Sequence, residues 1–182
     1  MSAVLVEAGP DKGAVWHFGE PVKEQRALEA GTAWADLSHH NVIAVSGVDR
    51  LKWLHDLTTQ FVSDLQPGVW MANMILDAKG HVEFQFNVVD DGTTTFLVLD
   101  PGYSEQLIEY LTKMKFMLRV DVKDASDEFA VLRAPGPPTE IGGPFALVPR
   151  SEVEEMKKTF GGVATQVGTW ALDAERVAAH RP

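Results

Sequence analysis

The chain has no cysteine among its 182 residues. That absence excludes disulfides, a thiolate nucleophile and thiolate-held zinc or iron–sulfur clusters within the chain. It also fits a reducing compartment, so a cytoplasmic location is expected. Long apolar runs are missing too. The stretch from Ala3 to Val6 is too short for the hydrophobic region of a signal peptide, and no later stretch approaches the ~20 residues of a membrane span. No membrane partner is expected. Positive charge is scarce: 16 basic residues against 26 acidic ones leave a formal charge of −10, which repels phosphate backbones and argues against direct nucleic-acid binding. Gly142-Gly143 and Gly161-Gly162 lack the other glycines and the lysine of a phosphate-cradling loop, and neither tandem repeats nor low-complexity segments occur.

What is present is a globular composition, 45% hydrophobic, in a length that buries roughly 70% of the surface its unfolded chain would expose. The clearest pattern runs from Val82 to Val88. A β-strand sends successive side chains to opposite faces, so Val82, Phe84, Phe86 and Val88 share an apolar face while Glu83, Gln85 and Asn87 share a polar one. The ordinary expectation for that polar face is contact with water; the functional alternative is the wall of a binding cavity.

Taken in order, residues 1–19 read as an extended arm. Glu20-Pro21 opens a helix that Gly31 closes in the left-handed conformation. Asn41 to Val45 is a short strand, and Ser46-Gly47-Val48-Asp49 is a capping-box pattern before a helix carrying Leu51, Leu54 and Leu57. Val69 to Leu76 is apolar nearly throughout and reads as a central strand, with Asn73 its one polar interruption and in need of partners if buried. Val82 to Val89 and Thr93 to Leu99 complete an antiparallel meander. Asp100-Pro101 caps a helix with Leu107, Leu111 and Met114 on one face. Strands follow at Leu118 to Lys123 and Phe129 to Leu132, then a breaker-rich loop from Pro135 to Pro144. A strand at Phe145 to Val148, a helix capped by Ser151 and a last helix from Thr169 finish the chain. The expected class is α+β, an antiparallel sheet with helices on one face. The expected division is a domain of residues 1–127 followed by the start of a second, incomplete one at 128–182.

Catalytic groups do not stand out. Asp36-Leu37-Ser38-His39-His40 contains Ser, His and Asp, but a triad converges from separate elements and neighbours do not make one; such residues more often tie down a loop. His17, His55, His81 and His180 show no ligand spacing, so no metal is expected. Asp90-Asp91 before Gly92 is hairpin-turn chemistry.

The ordered series Asp36-Leu37-Ser38-His39, Val45-Ser46-Gly47-Val48-Asp49 with Leu54, Thr58-Thr59-Gln60, Leu65-Gln66-Pro67-Gly68 and Leu76-Asp77-Ala78-Lys79-Gly80 resembles the folate-binding YgfZ family. That family is itself similar to the glycine cleavage T protein, an aminomethyltransferase. At the end, Ala171 to Pro182 resembles the family's helix that finishes in Gly-Arg-Pro, with His180 where Gly is usual. The resemblance implies a folate-binding, aminomethyltransferase-like fold whose cavity takes a tetrahydrofolate derivative. By counting from Gly80, it places Gln85 where the transferase keeps a catalytic Asp, and Ala72 where it keeps a folate-stacking Tyr. An amide can neither carry the carboxylate's charge nor take up a proton near neutral pH.

The expected ligand contacts are therefore Gln85, Asn87, Asn73 and Glu83, with no catalytic residue assigned. The expected role is an accessory one in maintaining iron–sulfur enzymes, including ones that modify tRNA, with iron–sulfur proteins as clients. The alternative is a tetrahydrofolate-dependent aminomethyltransferase with Glu83 or Asn87 in place of the Asp. The family's Lys-Gly-Cys-Tyr-x-Gly-Gln-Glu signature lies outside this sequence. The expectation is thus an N-terminal portion, with self-association through an incomplete domain surface.

Overall fold

Glycine and proline set the joints of the chain, and the structure, a computed structural model describing residues 2–137 and 144–180, places regular elements between them. In chain order these are β1 (Val4–Leu5), β2 (Val15–His17), α1 (Pro21–Glu29), β3 (Ala33–Asp36), β4 (Asn41–Ser46), α2 (Arg50–Leu57), β5 (Met71–Leu76) and β6 (Val82–Asp90). They continue as β7 (Thr94–Leu99), α3 (Ser104–Met114), β8 (Asp121–Asp124), β9 (Phe129–Arg133), β10 (Phe145–Pro149), α4 (Val153–Gly161), β11 (Thr165–Val167) and α5 (Thr169–Ala178). The α+β class is the one expected. Among the described residues, the recorded strand pairs are antiparallel except β11 with β3, which is parallel. Two compact units result, His40–Asp127 and a second one joining Met1–His39 to Glu128–Pro182.

The unit His40–Asp127 holds a five-stranded sheet in the order β5-β6-β7-β4-β8. Antiparallel register puts Ile43, Ile75, Phe86, Val88, Leu97 and Leu99 on one face, and α2 lays Trp53 and Leu54 against them while α3 adds Leu107 and Leu111. The i, i+4 spacing read in the sequence is what brings Leu107 and Leu111 to full burial, each contributing roughly 1.5–3 kcal/mol. The meander β5-β6-β7 forms as expected.

Local readings differ in places. The apolar run that suggested a central strand is β5, which lies at the sheet edge. Its outer side is occupied by the turn after α2, whose Thr59 amide donates to the Met74 carbonyl at 3.0 Å. The Ser46-Gly47-Val48-Asp49 stretch forms no capping box: Asp49 is the N-cap of α2 without a side-chain cap bond. Its carboxylate instead accepts from the backbone amide and guanidinium of Arg119 at 2.8–3.0 Å. Gly47 is required here. At φ +107° its missing Cβ would stand 2.0 Å from the Arg119 carbonyl oxygen, so only glycine admits the crossing.

The other unit carries a four-stranded sheet, β10-β9-β3-β11, with β1 and β2 as a separate two-stranded piece where an arm was expected. One break falls between Asp127 and Glu128, and residues 1–39 group with the segment that follows it. The reason is β3: short and buried, it satisfies its backbone only by pairing with β9 on one side and β11 on the other. Leu28, Ala33, Ala35, Val167 and Ala171 form the core between α1, α5 and the sheet. Ala130, Leu132, Val148 and Val153 form a second one under α4. Buried Glu24 accepts from the amides of Phe18 at 2.7 Å and Gly168 at 3.0 Å, tying α1 to its neighbours. Arg133, fully buried on β9, meets Glu175 of α5 at 3.1 Å. Pro21 opens α1 and Gly31 follows it at φ +71°, both as read from the sequence. Arg181 and Pro182, in the terminal motif, and Gly142-Gly143 lie outside the described residues.

Candidate functional site

Strand β6 carries the alternation described above. Phe86 and Val88 are buried in the core and Phe84 packs against it, while Gln85 on the other face is exposed and Asn87 half-buried. Two irregularities then open the start of the strand. On the β5 side the register steps from Ile75↔Phe84 to Leu76↔Val82, which leaves Glu83 as the extra residue of a bulge. On the β7 side the ladder runs only from Asp90↔Thr95 to Asn87↔Val98, so residues 82–86 extend past it.

Where the two strands part there is an open recess of about 210 Å³, lined by Val82, Glu83, Phe84, Gln85, Leu99, Asp100 and Tyr103. Its far wall is the turn from β7 into α3. That turn is held from behind: Asn41, the first residue of β4, accepts the Gly102 amide at 2.9 Å through Oδ1 and donates through Nδ2 to Ser126 Oγ at 3.3 Å. His40 Nδ1 lies 3.9 Å from an Asp100 carboxylate oxygen. Near the strand start, burial first and the Glu83 charge second push the Tyr110 hydroxyl above its ordinary range, so Tyr110 stays protonated and neutral.

The expected ligand residues separate. Glu83 and Gln85 both line the recess. Asn87 shares the face of Gln85 but pairs with Ala72 and Val98 deeper in the sheet, away from the recess lining. Asn73 lies on the opposite, core face, opposite Phe86, and is 1% exposed. Its Oδ1 accepts from Thr59 Oγ1 at 3.2 Å, the Gln60 amide at 3.1 Å and the Met74 amide at 2.8 Å, and its Nδ2 donates to Thr58 Oγ1 at 2.8 Å. It therefore does the work of a buried strut closing the β5 edge.

Sequence reasoning missed Asp100 and Tyr103. Asp100-Pro101 read as a helix cap, but α3 begins at Ser104 and its N-cap is Tyr103. The signal was available in the hairpin register: stepping back by twos from Asn87↔Val98 brings Asp100 opposite Gln85.

The remaining polar clusters hold loops together. Asp36 accepts from the Ser38 amide at 3.0 Å and pairs with Lys157 at 2.6 Å; burial alone would raise its pKa, but these partners outweigh it and hold the carboxyl low. His39 Nε2 lies 2.8 Å from Asp11. Asp91 accepts from the Thr93 and Thr94 amides, as a hairpin turn requires. Asp90, fully buried, takes a bidentate Arg50 at 2.8–2.9 Å.

Chemically, the recess presents two carboxylates and one amide around an apolar floor. Such a set accepts hydrogen bonds from the N–H edge of a flat heterocycle and offers Gln85 as combined donor and acceptor. Among the described residues, no helix is long and apolar enough to cross a membrane.

Known proteins share this architecture. The glycine cleavage system aminomethyltransferase T from Bartonella henselae superposes with a TM-score of 0.75 at 15% identity, over 93% of this chain and 56% of that one. An aminomethyltransferase from Koribacter versatilis is 30% identical over 124 residues, 65% of this chain and 32% of that protein. A putative chloroplastic transferase from Arabidopsis thaliana is 25% identical over 140 residues, 75% of this chain and 32% of that protein. The chain thus spans about a third of the length of these two relatives. The family model described as the GCVT N-terminal domain matches residues 3–141, and the chain belongs to that family.

Proposed function

We propose that the recess at the β6–β7 split binds the heterocycle of a tetrahydrofolate derivative, and that the chain is the folate-binding part of an aminomethyltransferase-like protein. The observation that carries this reading is the convergence of Glu83, Gln85 and Asp100 on one concavity with Leu99 and Tyr103. A volume near 210 Å³ falls below the ~300–1,000 Å³ of whole-ligand pockets, so it suits the ring system and leaves the tail of the ligand outside. The two carboxylates accept N–H groups at the ring edge, and Gln85 can donate to a ring carbonyl or accept from an amine. Bound there, the folate would supply one-carbon transfer chemistry. This chain's residues orient the ring, shield one side of it with Leu99, and place the carboxylates of Glu83 and Asp100 at its edge. The carboxylates supply the negative charge that the amide of Gln85 lacks, which favours transferase chemistry.

A second reading, an accessory folate-binding protein of the YgfZ type serving iron–sulfur enzymes without transfer, is favoured by Gln85 itself, the amide at the position that resemblance assigns to the transferase's Asp. Calorimetric titration with folinic acid tests binding: a saturable 1:1 heat, weakened at least ~10-fold in Glu83→Gln/Asp100→Asn, is expected. No heat with the wild-type chain refutes the assignment. Formation of methylenetetrahydrofolate from an aminomethyl donor separates the two readings, since only the first requires it.

A further inference from the structure

We infer that Tyr103 is the aromatic wall on which the ligand's planar ring rests; the inference rests on the folate reading of the recess. The other rings nearby are committed elsewhere. Phe84 touches the recess but its ring lies 5.8 Å from that of Tyr110 and packs against the core, and Phe86 is buried within it. Ala72, on the face shared with Asn87, carries only a methyl group. Tyr103 is different. It is 46% exposed, an aromatic residue left in water that packs in no core cluster described for its unit.

Its backbone is nevertheless fixed. The Tyr103 carbonyl accepts the first hydrogen bond of α3, from the Leu107 amide at 3.1 Å, and the preceding Gly102, at φ +91°, is held through its amide by Asn41. A ring carried on a rigid turn loses only two side-chain torsions on contact, which makes tyrosine an economical platform for a flat ligand. The polar groups complement it. Glu83, Gln85 and Asp100 supply hydrogen-bonding partners for the ring's edge, whereas Tyr103 supplies a surface for its plane. Asn41 acts through Tyr103 as a positioning residue.

The test is calorimetric titration of the full chain with folinic acid, with pterin alone and with p-aminobenzoylglutamate. Tyr103→Ala is expected to weaken folinic acid and pterin by about 5- to 100-fold, the range found when a stacked base loses its aromatic partner. Tyr103→Phe is expected to stay within about 3-fold of wild type, because the plane and not the hydroxyl is used. The tail fragment should show no dependence on Tyr103. The urea midpoint of each variant reports folding separately. Wild-type binding that persists unchanged in Tyr103→Ala overturns the role of Tyr103 and leaves the recess assignment standing. A loss in Tyr103→Phe as large as in Tyr103→Ala overturns stacking in favour of the hydroxyl. Absence of binding by the wild-type chain overturns the folate reading and this inference with it.

Discussion

Replacing Asn73 by leucine, nearly the same size but unable to hydrogen-bond, asks whether this residue is a structural strut or a ligand contact. Wild-type Asn73 makes four hydrogen bonds, three accepted and one donated, and all four vanish in Asn73→Leu. At ~0.5–1.5 kcal/mol each they sum to about 2–6 kcal/mol. Burial of the leucine methyls returns about 1.5–2 kcal/mol. Gln60 is exposed, so its freed amide finds water, whereas Met74 is half-buried and its amide does not do so fully. The expected net loss is about 2–4 kcal/mol, which at m of ~2 kcal/mol/M lowers the urea midpoint by roughly 1–2 M. A second effect follows from the position of Asn73 on an edge strand. With the Thr58–Gln60 turn released, the outward groups of β5 can pair with another chain, so light scattering should reveal concentration-dependent self-association. Equilibrium urea unfolding followed by tryptophan fluorescence, at two protein concentrations, measures both. A midpoint within 0.2 M of wild type together with weakened folinic acid binding would refute the strut and restore Asn73 to the ligand site.

Three further outcomes are expected. Gly47→Ala forces a methyl group to within 2.0 Å of the Arg119 carbonyl at φ +107°, and should cost about 3 kcal/mol or more by urea unfolding or abolish soluble expression. Burial would raise the Asp90 carboxyl, but Arg50, Thr95 and the Gly92 amide outweigh it and hold its pKa below the ordinary value. A depressed acid stabilises the fold above its unfolded pKa and loses that stabilisation as pH falls through the folded one. The urea midpoint should therefore be flat from pH 7 to about 5 and fall below about 4, and Arg50→Met should flatten that acid limb. Glu175→Ala strands the fully buried Arg133 and should destabilise by about 3–5 kcal/mol, whereas an unchanged thermal midpoint would show the pair to be solvated.

Much of the fold was legible because periodicity and breakers are local. The face shared by Phe84, Phe86 and Val88, the helix faces of α2 and α3, and the Pro21 and Gly31 ends of α1 all follow from spacing alone. What was not legible depends on distant partners. β3 and β11 are only four and three residues long, too short to show a period, and exist through pairing with each other and with β9. The run at 69–76 looked central because its apolar side chains do not reveal that a turn, not a strand, covers its outer edge. Ser46 to Asp49 fits a capping pattern in sequence, but Arg119, 70 residues away, competes for the Asp49 carboxylate. At the site, Glu83 and Gln85 were within reach of the pattern on β6. Asp100 and Tyr103 were hidden behind a plausible helix cap, and polarity alone does not say that Asn73, grouped in the sequence with Glu83, Gln85 and Asn87, takes the opposite face of the sheet.

The interrupted unit also bears on the order of events as the chain leaves the ribosome. Its sheet needs β3, completed by residue 36, and β9, which starts at residue 129, so the first 39 residues must wait while the whole intervening unit is made. At ~5–20 residues per second that delay lasts several seconds. The intervening unit is contiguous and can mature alone. When it does, pairing of Ile43 with Asp124 draws its two ends side by side, and β3 and β9 emerge as neighbours instead of as the ends of a long loop. The entropic cost of that closure is thus met before the second sheet begins to form. The step most exposed to misassembly is then the docking of β11, the last strand of that sheet to be synthesised, along the waiting edge of β3.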